Sequence, residues 1–442
     1  MKPIKGISRR DALKLFSTLG AGAFLSACGA SAANPNSRTN ASAGRVVVVG
    51  GGFGGATAAK YLKIADPNLE VTLIEPQKRY YTCPFTNLYL GGLREFNTLG
   101  HGYGELKDKY GVTVIHQKAS DVDPEGHRLK LEDGTEIKWD RLTLSPGIDI
   151  RWDALEGYDR EAAQKAPHAW QAGPQTHLLK EQLEAMPEDG TFILVAPENP
   201  YRCPPGPYER VSMVANYCRQ HKPEAKILLL DAKDNFSKQG LFMQGWKENY
   251  GDMIEWVGLS DDGKVIRVDA DKLEVETEFG TIHKADVLNV VPPQKAGFIA
   301  DRAGVTDDTG WVPIKPETFR SQKHEHIYVI GDATQAAPMP KSGFVANNQA
   351  KVTARAIVAD LRGEDPMPGT WANTCYSVIA PDYGITVANV FEVHDGELRE
   401  VPGSGGVSPM EVDPSFRQQE ARYAAAWYAG IAQDTWGTKP QG

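Results

Sequence analysis

Three cysteines stand where a thiol could do more than pack. Cys203 lies in Tyr201-Arg202-Cys203-Pro204-Pro205-Gly206-Pro207, a proline-stiffened loop following the apolar run Thr191 to Val195. That run reads as a strand, and the carboxyl ends of strands are where α/β proteins place their ligands. Cys375 occurs in Asn373-Thr374-Cys375-Tyr376-Ser377, and Cys83 in Tyr80-Tyr81-Thr82-Cys83-Pro84. Thiolates attack sulfur–sulfur bonds by exchange, so thiols in rigid, distinctive settings are candidates for redox work. The remaining two cysteines read differently. Cys28 falls in an N-terminal leader, and Cys218 sits in a helical pattern with no special neighbours, as a packed or spare thiol.

A second chemistry is written in glycine. Gly50, Gly52 and Gly55 fit G-x-G-x-x-G, directly after the run Arg45 to Val49 and before the helical composition of Ala56 to Ile64. The next strand, Val71 to Ile74, ends in Glu75, close to the roughly 20 residues expected of a ribose-binding acid. Such glycines let backbone reach a pyrophosphate at a helix N-terminus, and the acid accepts from ribose hydroxyls. Far downstream, the strand Ile327 to Ile330 runs into Gly331-Asp332, and Asp140 to Gly147 reads as a strand entering a tight turn. Both belong with the glycine unit.

Between those parts, Thr191 to Val195 and Lys226 to Asp231 read as strands of a second unit of the same kind. Where glycines would cradle a phosphate it carries prolines, which have no N–H to donate. A nicotinamide nucleotide is therefore not expected there. The end of the chain shows strand-like Ile385 to Val390 and a helical, aromatic stretch from Phe416 to Ile431. The fold class expected is α/β: two Rossmann-like FAD/NAD(P)-type domains, the second without a nucleotide-binding turn, plus a C-terminal α+β domain. Expected boundaries are residues 44–155 with 290–365 for a discontinuous FAD domain, 156–289 for the second, and 366–442 for a flavin-covering or interface domain.

Together these segments resemble the flavoprotein subunit of flavocytochrome c sulfide dehydrogenase, a relative of sulfide:quinone oxidoreductase within the FAD-dependent disulfide reductases. The resemblance is carried by Gly50 to Lys60, Tyr80 to Cys83, Pro167 to Ala172, Arg202 to Arg210, Gly331 to Asn347 and Asn373 to Ser377. It implies that Gly331 and Asp332 hold the ribityl chain of FAD and that Cys83 bonds the flavin ring through sulfur. It further implies that Cys203 and Cys375 form a redox-active disulfide beside the flavin. Glu209 would be an acid near that disulfide, moving protons or else capping a helix or pairing a charge. Pro84-Phe85 after Cys83 departs from the pattern and leaves the covalent bond open. A purely stabilising disulfide, which export would permit, is the bland alternative for the pair.

Hydrosulfide could attack such a disulfide, leaving one cysteine as persulfide and freeing the other as thiolate. FAD takes electron pairs and releases single electrons, as a haem acceptor requires. The chain has no C-x-x-C-H motif, so the resemblance implies a separate cytochrome c subunit in a heterodimer making sulfur or polysulfide. Two other readings stand beside it: a sulfide:quinone oxidoreductase, and a non-catalytic flavin-binding exported factor.

The N-terminus supplies the compartment. Ser8-Arg9-Arg10-Asp11 followed by the apolar run Leu15 to Ala27 resembles a twin-arginine export signal over residues 1–32, with a tether over 33–43. Cys28 ends a lipoprotein-like cleavage box, while Ala30-Ser31-Ala32 offers a plain cleavage site; both stand. The run falls short of the roughly 20 apolar residues of a membrane span. A periplasmic location, free or lipid-anchored, is expected. Losing residues 1–27 removes five basic residues against Asp11 alone, so the net charge of −9 becomes more negative. Such a balance argues against nucleic acid as a partner, and no metal site is expected.

Overall fold

The valine run of the first strand, Arg45–Val49, is buried from Val46 onward, and β-branched residues suit a strand covered on both faces. A computed structural model describes residues 43–437; the export signal, Cys28 and most of the tether lie outside the described residues. Glu70–Ile74 and Arg141–Leu144 flank the first strand in parallel register. Thr113–Ile115 and Ile327–Val329 extend that sheet on either side, and Ile314–Lys315 with Arg320–Ser321 complete seven strands. Residues from both halves of the chain thus build one sheet. Helix Phe53–Ala65 packs against Gly343–Arg362 on it, the latter capped by Ser342, whose Oγ accepts from Val345 N.

The second sheet is parallel and four-stranded, in the order Ile254–Val257, Lys226–Asp231, Thr191–Ala196, Val287–Val290. Its last strand runs through Val290, so a boundary after residue 289 cuts it by one residue. Helix Gly206–His221 follows the proline loop and buries Val211, Val214, Ala215 and Cys218 against this sheet.

The C-terminal region is an antiparallel sheet under a helix. Thr370–Ala380 pairs with Tyr383–His394, which pairs with Glu397–Glu400. Helix Pro414–Trp436 starts with a proline at its first position and an Asp413 cap, both favourable where backbone N–H groups lack partners. Its buried face, including Tyr428 and Trp436, returns to the glycine unit: Trp436 Nε1 donates to Gly51 O at 3.1 Å. No helix among the described residues is long and apolar enough to cross a membrane.

Candidate active site

The glycine turn makes a cradle for geometric reasons. Gly50 has φ +100°, and a Cβ there would stand 2.3 Å from Ser145 O; one on Gly55 would stand 1.8 Å from Gly50 O. Only glycine permits these approaches. Gly50, Gly52 and Glu75 line a groove of about 600 Å³ with Ser145, Gly147 and Arg79. Glu75 accepts from Gly51 N at 2.8 Å and Gln77 N at 2.9 Å. Burial raises its pKa while those two N–H groups oppose the rise. A carboxylate has about four acceptor sites, so these bonds leave capacity for a ribose.

This groove continues into a tighter chamber of about 110 Å³, because Tyr80, Cys83 and Arg202 line both. Cys83, Cys203, Cys375, Glu209 and Asp332 all line the chamber, although they come from four separate segments. Cys203 and Cys375 are free thiols in the structure, as are Cys83 and Cys218; the pair is placed together but is not bonded here. A dithiol and a disulfide are the two states of one exchange couple.

The proline loop holds Cys203 in a strained pose. Its φ is +60°, sparsely populated for a residue with a side chain, a state that costs about 1–3 kcal/mol and persists only when the surroundings enforce it. They do so from both sides: Cys203 N donates to Lys341 O at 2.9 Å, and Gly206 N donates to Cys203 O at 2.8 Å. A Cβ on Gly206 would meet Trp170 at 2.7 Å and Cys203 Sγ at 3.1 Å. Cys375 is fixed instead by strand register, opposite Val387. Cys83 Sγ lies 3.5 Å from Trp170 O, and Phe85 beyond it, at φ +70°, packs edge-on against Tyr428 at 4.6 Å between ring centres.

Electrostatics sort the groups. Burial pushes the Cys203 thiol well above its ordinary range, against the pull of Arg202. Cys375 is also raised by burial, against Lys238. Lys238 Nζ donates to Ser377 Oγ at 2.8 Å and to Cys375 O at 3.2 Å, so a buried ammonium stands beside that strand. Glu209 is pushed up to about 7 by burial, opposed first by Lys238. Its Oε1 accepts from Val378 N at 3.3 Å. Arg210, by contrast, is committed to structure, donating to Asn87 Oδ1, His168 O, Asn289 Oδ1 and Ala169 O. Gly331 has φ +78° and donates its N–H to Gln349 Oε1 at 2.7 Å. Asp332 Oδ1 is buried without a hydrogen-bond partner among the described residues.

Lys238 was not singled out from sequence. It lies in a loop far from every motif, and only the fold brings it to Cys375. Cys218 is fully buried, and burial lifts its thiol to about 11, which keeps it protonated and inert.

Comparison with known proteins bears on this arrangement. Residues 44–173 match the pyridine nucleotide-disulphide oxidoreductase family. Residues 176–292 match the sulfide dehydrogenase [flavocytochrome c] flavoprotein chain, central family, and 367–436 the flavocytochrome c sulphide dehydrogenase, flavin-binding family. A sulfide dehydrogenase [flavocytochrome c] flavoprotein chain from Chlorobaculum thiosulfatiphilum is 65% identical over 43 residues, covering 10% of this chain and 90% of that sequence. The chain belongs to the flavocytochrome c sulfide dehydrogenase flavoproteins. As a member of this family it is an FAD-dependent sulfide-oxidising enzyme. Mouse mitochondrial sulfide:quinone oxidoreductase is 24% identical over 336 residues, 73% of this chain and 72% of its own. The crystal structure of the sulfide:quinone oxidoreductase from Aquifex aeolicus superposes with a TM-score of 0.69 at 16% identity, covering 89% of this chain and 92% of the other. That likeness shows a shared fold.

The residues present fit FAD. The glycine cradle and Glu75 offer a place for the dinucleotide end, and Asp332, whose buried Oδ1 has no partner among the described residues, offers an acceptor in the chamber lining. A buried acceptor without a partner is costly unless a ligand supplies a donor.

Proposed function

We propose that this chain oxidises hydrosulfide at Cys203 and Cys375, with FAD taking the electrons inside and a separate cytochrome c subunit taking them outside. The observation that carries the reading is one chamber lined by three cysteines and Glu209 and continuous with a dinucleotide groove. In the oxidised enzyme Cys203 and Cys375 form a disulfide. Hydrosulfide attacks one sulfur, the S–S bond breaks, and the products are a persulfide and a thiolate. Arg202 and Lys238 are the nearby cations that favour the thiolate state against burial. Glu209, poised at about 7, holds or releases the proton that hydrosulfide brings, a value suited to a general acid or base near neutral pH. On this reading Cys83, which lines both groove and chamber, would hold the flavin through its sulfur. When bound, FAD accepts an electron pair and releases single electrons.

The second unit is poorly suited to a nicotinamide nucleotide: prolines replace the phosphate-binding glycines beside its open groove of about 790 Å³, and its acid is already engaged. Asp231, where its ribose acid would stand, is fully buried and bonded to Tyr208 OH at 2.6 Å, Lys233 Nζ at 2.5 Å and Trp256 Nε1 at 3.1 Å. Electrons therefore enter from sulfur. The leader residues and a cytochrome acceptor together favour the periplasm, with export by the twin-arginine route and either a free or a lipid-anchored N-terminus at Cys28.

A quinone acceptor is the second reading, favoured by the sulfide:quinone oxidoreductases that align along most of the chain. Stopped-flow reduction separates the two. Sulfide should bleach the flavin, and the reduced protein should pass electrons to cytochrome c. Transfer to quinone alone would support the second reading, and no bleaching by sulfide would sink both.

A further inference from the structure

Cys203 and Cys375 line two cavities. One is the chamber that continues into the dinucleotide groove. The other, of about 240 Å³, shares with it only Cys203, Cys375 and Ser342. In space the order is groove, chamber, cysteines, second cavity, so the pair stands in the wall between the flavin side and this outer space. Ser342 braces that wall, its Oγ bonding Asn373 Oδ1 at 3.1 Å.

Strand register explains the outer cavity. Cys375 faces Val387, Asn373 faces Asn389, and Phe391 faces Glu400 across the C-terminal sheet. Directly opposed residues, and those two apart on one strand, share a sheet face. These six residues therefore form one continuous floor, and all six line the cavity. The proline loop after Cys203 and the turn at Pro338 and Pro340 close it from above. Proline and strand walls are rigid, and a space of this size holds several water-sized groups.

Charge distinguishes the two sides. The flavin-side chamber is lined by three cations, Arg202, Arg210 and Lys341, beside the carboxyl groups of Glu209 and Asp332. Among the described residues lining the outer cavity there is no lysine or arginine, and its one carboxylate is Glu400, which accepts from Asn389 Nδ2 at 2.8 Å. Cations thus stand where electrons and thiolate charge must be held. The outer space suits a small, uncharged or weakly hydrated sulfur species and disfavours bulky anions.

We propose that this outer cavity is the port through which sulfide reaches the cysteine pair and in which the acquired sulfur resides. This rests on the sulfide-oxidising reading above. Hydrosulfide attacks from the port, the Cys203–Cys375 bond breaks, and a persulfide projects into the port while the other sulfur leaves as thiolate. A second hydrosulfide removes the outer sulfur as HSS⁻, leaving that cysteine as a thiol. The resulting thiol–thiolate pair re-forms the disulfide, and FAD held on the chamber side would take up the electron pair together with the thiol's one proton.

The test places bulk and charge in the port of the FAD-loaded protein. Val387→Phe should raise the sulfide concentration needed for half-maximal flavin bleaching at least tenfold, with flavin content and the rate of dithionite reduction unchanged. In reduced protein it should also slow alkylation of Cys203 and Cys375 by iodoacetamide at least tenfold. Glu400→Gln, on an exposed side chain and so safe for folding, should speed alkylation by anionic iodoacetate several-fold more than by neutral iodoacetamide. Unchanged alkylation in Val387→Phe, or equal effects of Glu400→Gln on both reagents, would overturn the port. Should sulfide fail to bleach the unsubstituted protein, the sulfide reading falls, while the alkylation arms still decide whether this cavity is the route to the thiols.

Discussion

Cys203 and Cys375 share a chamber yet are held by different means, a strained loop and a strand register. Replacing either by serine keeps the size and leaves the fold, so Cys203→Ser and Cys375→Ser should each lose at least 100-fold in sulfide-driven flavin reduction while keeping bound flavin, as absorbance and stopped flow will show. Cys218→Ala should leave activity intact, because that thiol is sealed in the core. Glu209 makes a pH prediction. Its folded pKa, about 7, lies above the ordinary 4.5, so the folded state binds the proton more tightly than the unfolded chain. The stability it contributes is full below about 4.5 and is lost as pH rises through about 7. Glu209→Gln should remove that loss, on the order of 3 kcal/mol, and flatten the pH profile of flavin reduction near neutrality. Denaturation midpoints at pH 5 and pH 8 will check the first part.

At the scale of elements, the glycine turn and the C-terminal helix make separate contributions. Gly55→Ala forces a Cβ onto Gly50 O, with no flexible atom to yield, and should give protein without yellow colour. Tyr428 OH bonds both Thr82 Oγ1 at 2.8 Å and His101 Nε2 at 2.9 Å. Tyr428→Phe should cost about 1–3 kcal/mol, read as a lower Tm, by loosening the helix from the segment that carries Cys83. Elements with strong apolar runs were legible in sequence: Arg45–Val49 and Lys226–Asp231 match residue for residue. Thr370–Ala380, the strand carrying Cys375, was not assigned. It mixes Asn, Thr, Cys, Tyr and Ser, since one face floors a cavity rather than a core, and an apolar-run reading passes over it. The C-terminal helix is longer than the Phe416 to Ile431 stretch at both ends: Asp413 caps it and Pro414 opens it, and it runs on to Trp436 before Gly437 ends it.

For the whole molecule, the groove and chamber that fit the flavin draw on segments from both ends of the chain, and the proposed acceptor is a separate subunit. Acid-precipitated protein should stay yellow if Cys83 bonds the flavin, and Cys83→Ala should release it to the supernatant. A c-type cytochrome should co-purify with the chain from its native host. Sequence by itself determined the groups that carry chemistry: the glycines of a tight strand-to-helix turn, the acid after the second strand, the prolines that spoil a second nucleotide turn, and three cysteines in distinctive settings. Those are local facts, since backbone freedom, missing N–H groups and residue type act within a few positions. The tertiary structure decided which of these groups meet. It brought Lys238 to Cys375, left Asp332 with an unpartnered oxygen in the chamber, and set the cysteine pair as a wall between two cavities. Each depends on packing between segments far apart in the chain, and spacing in one dimension does not record it.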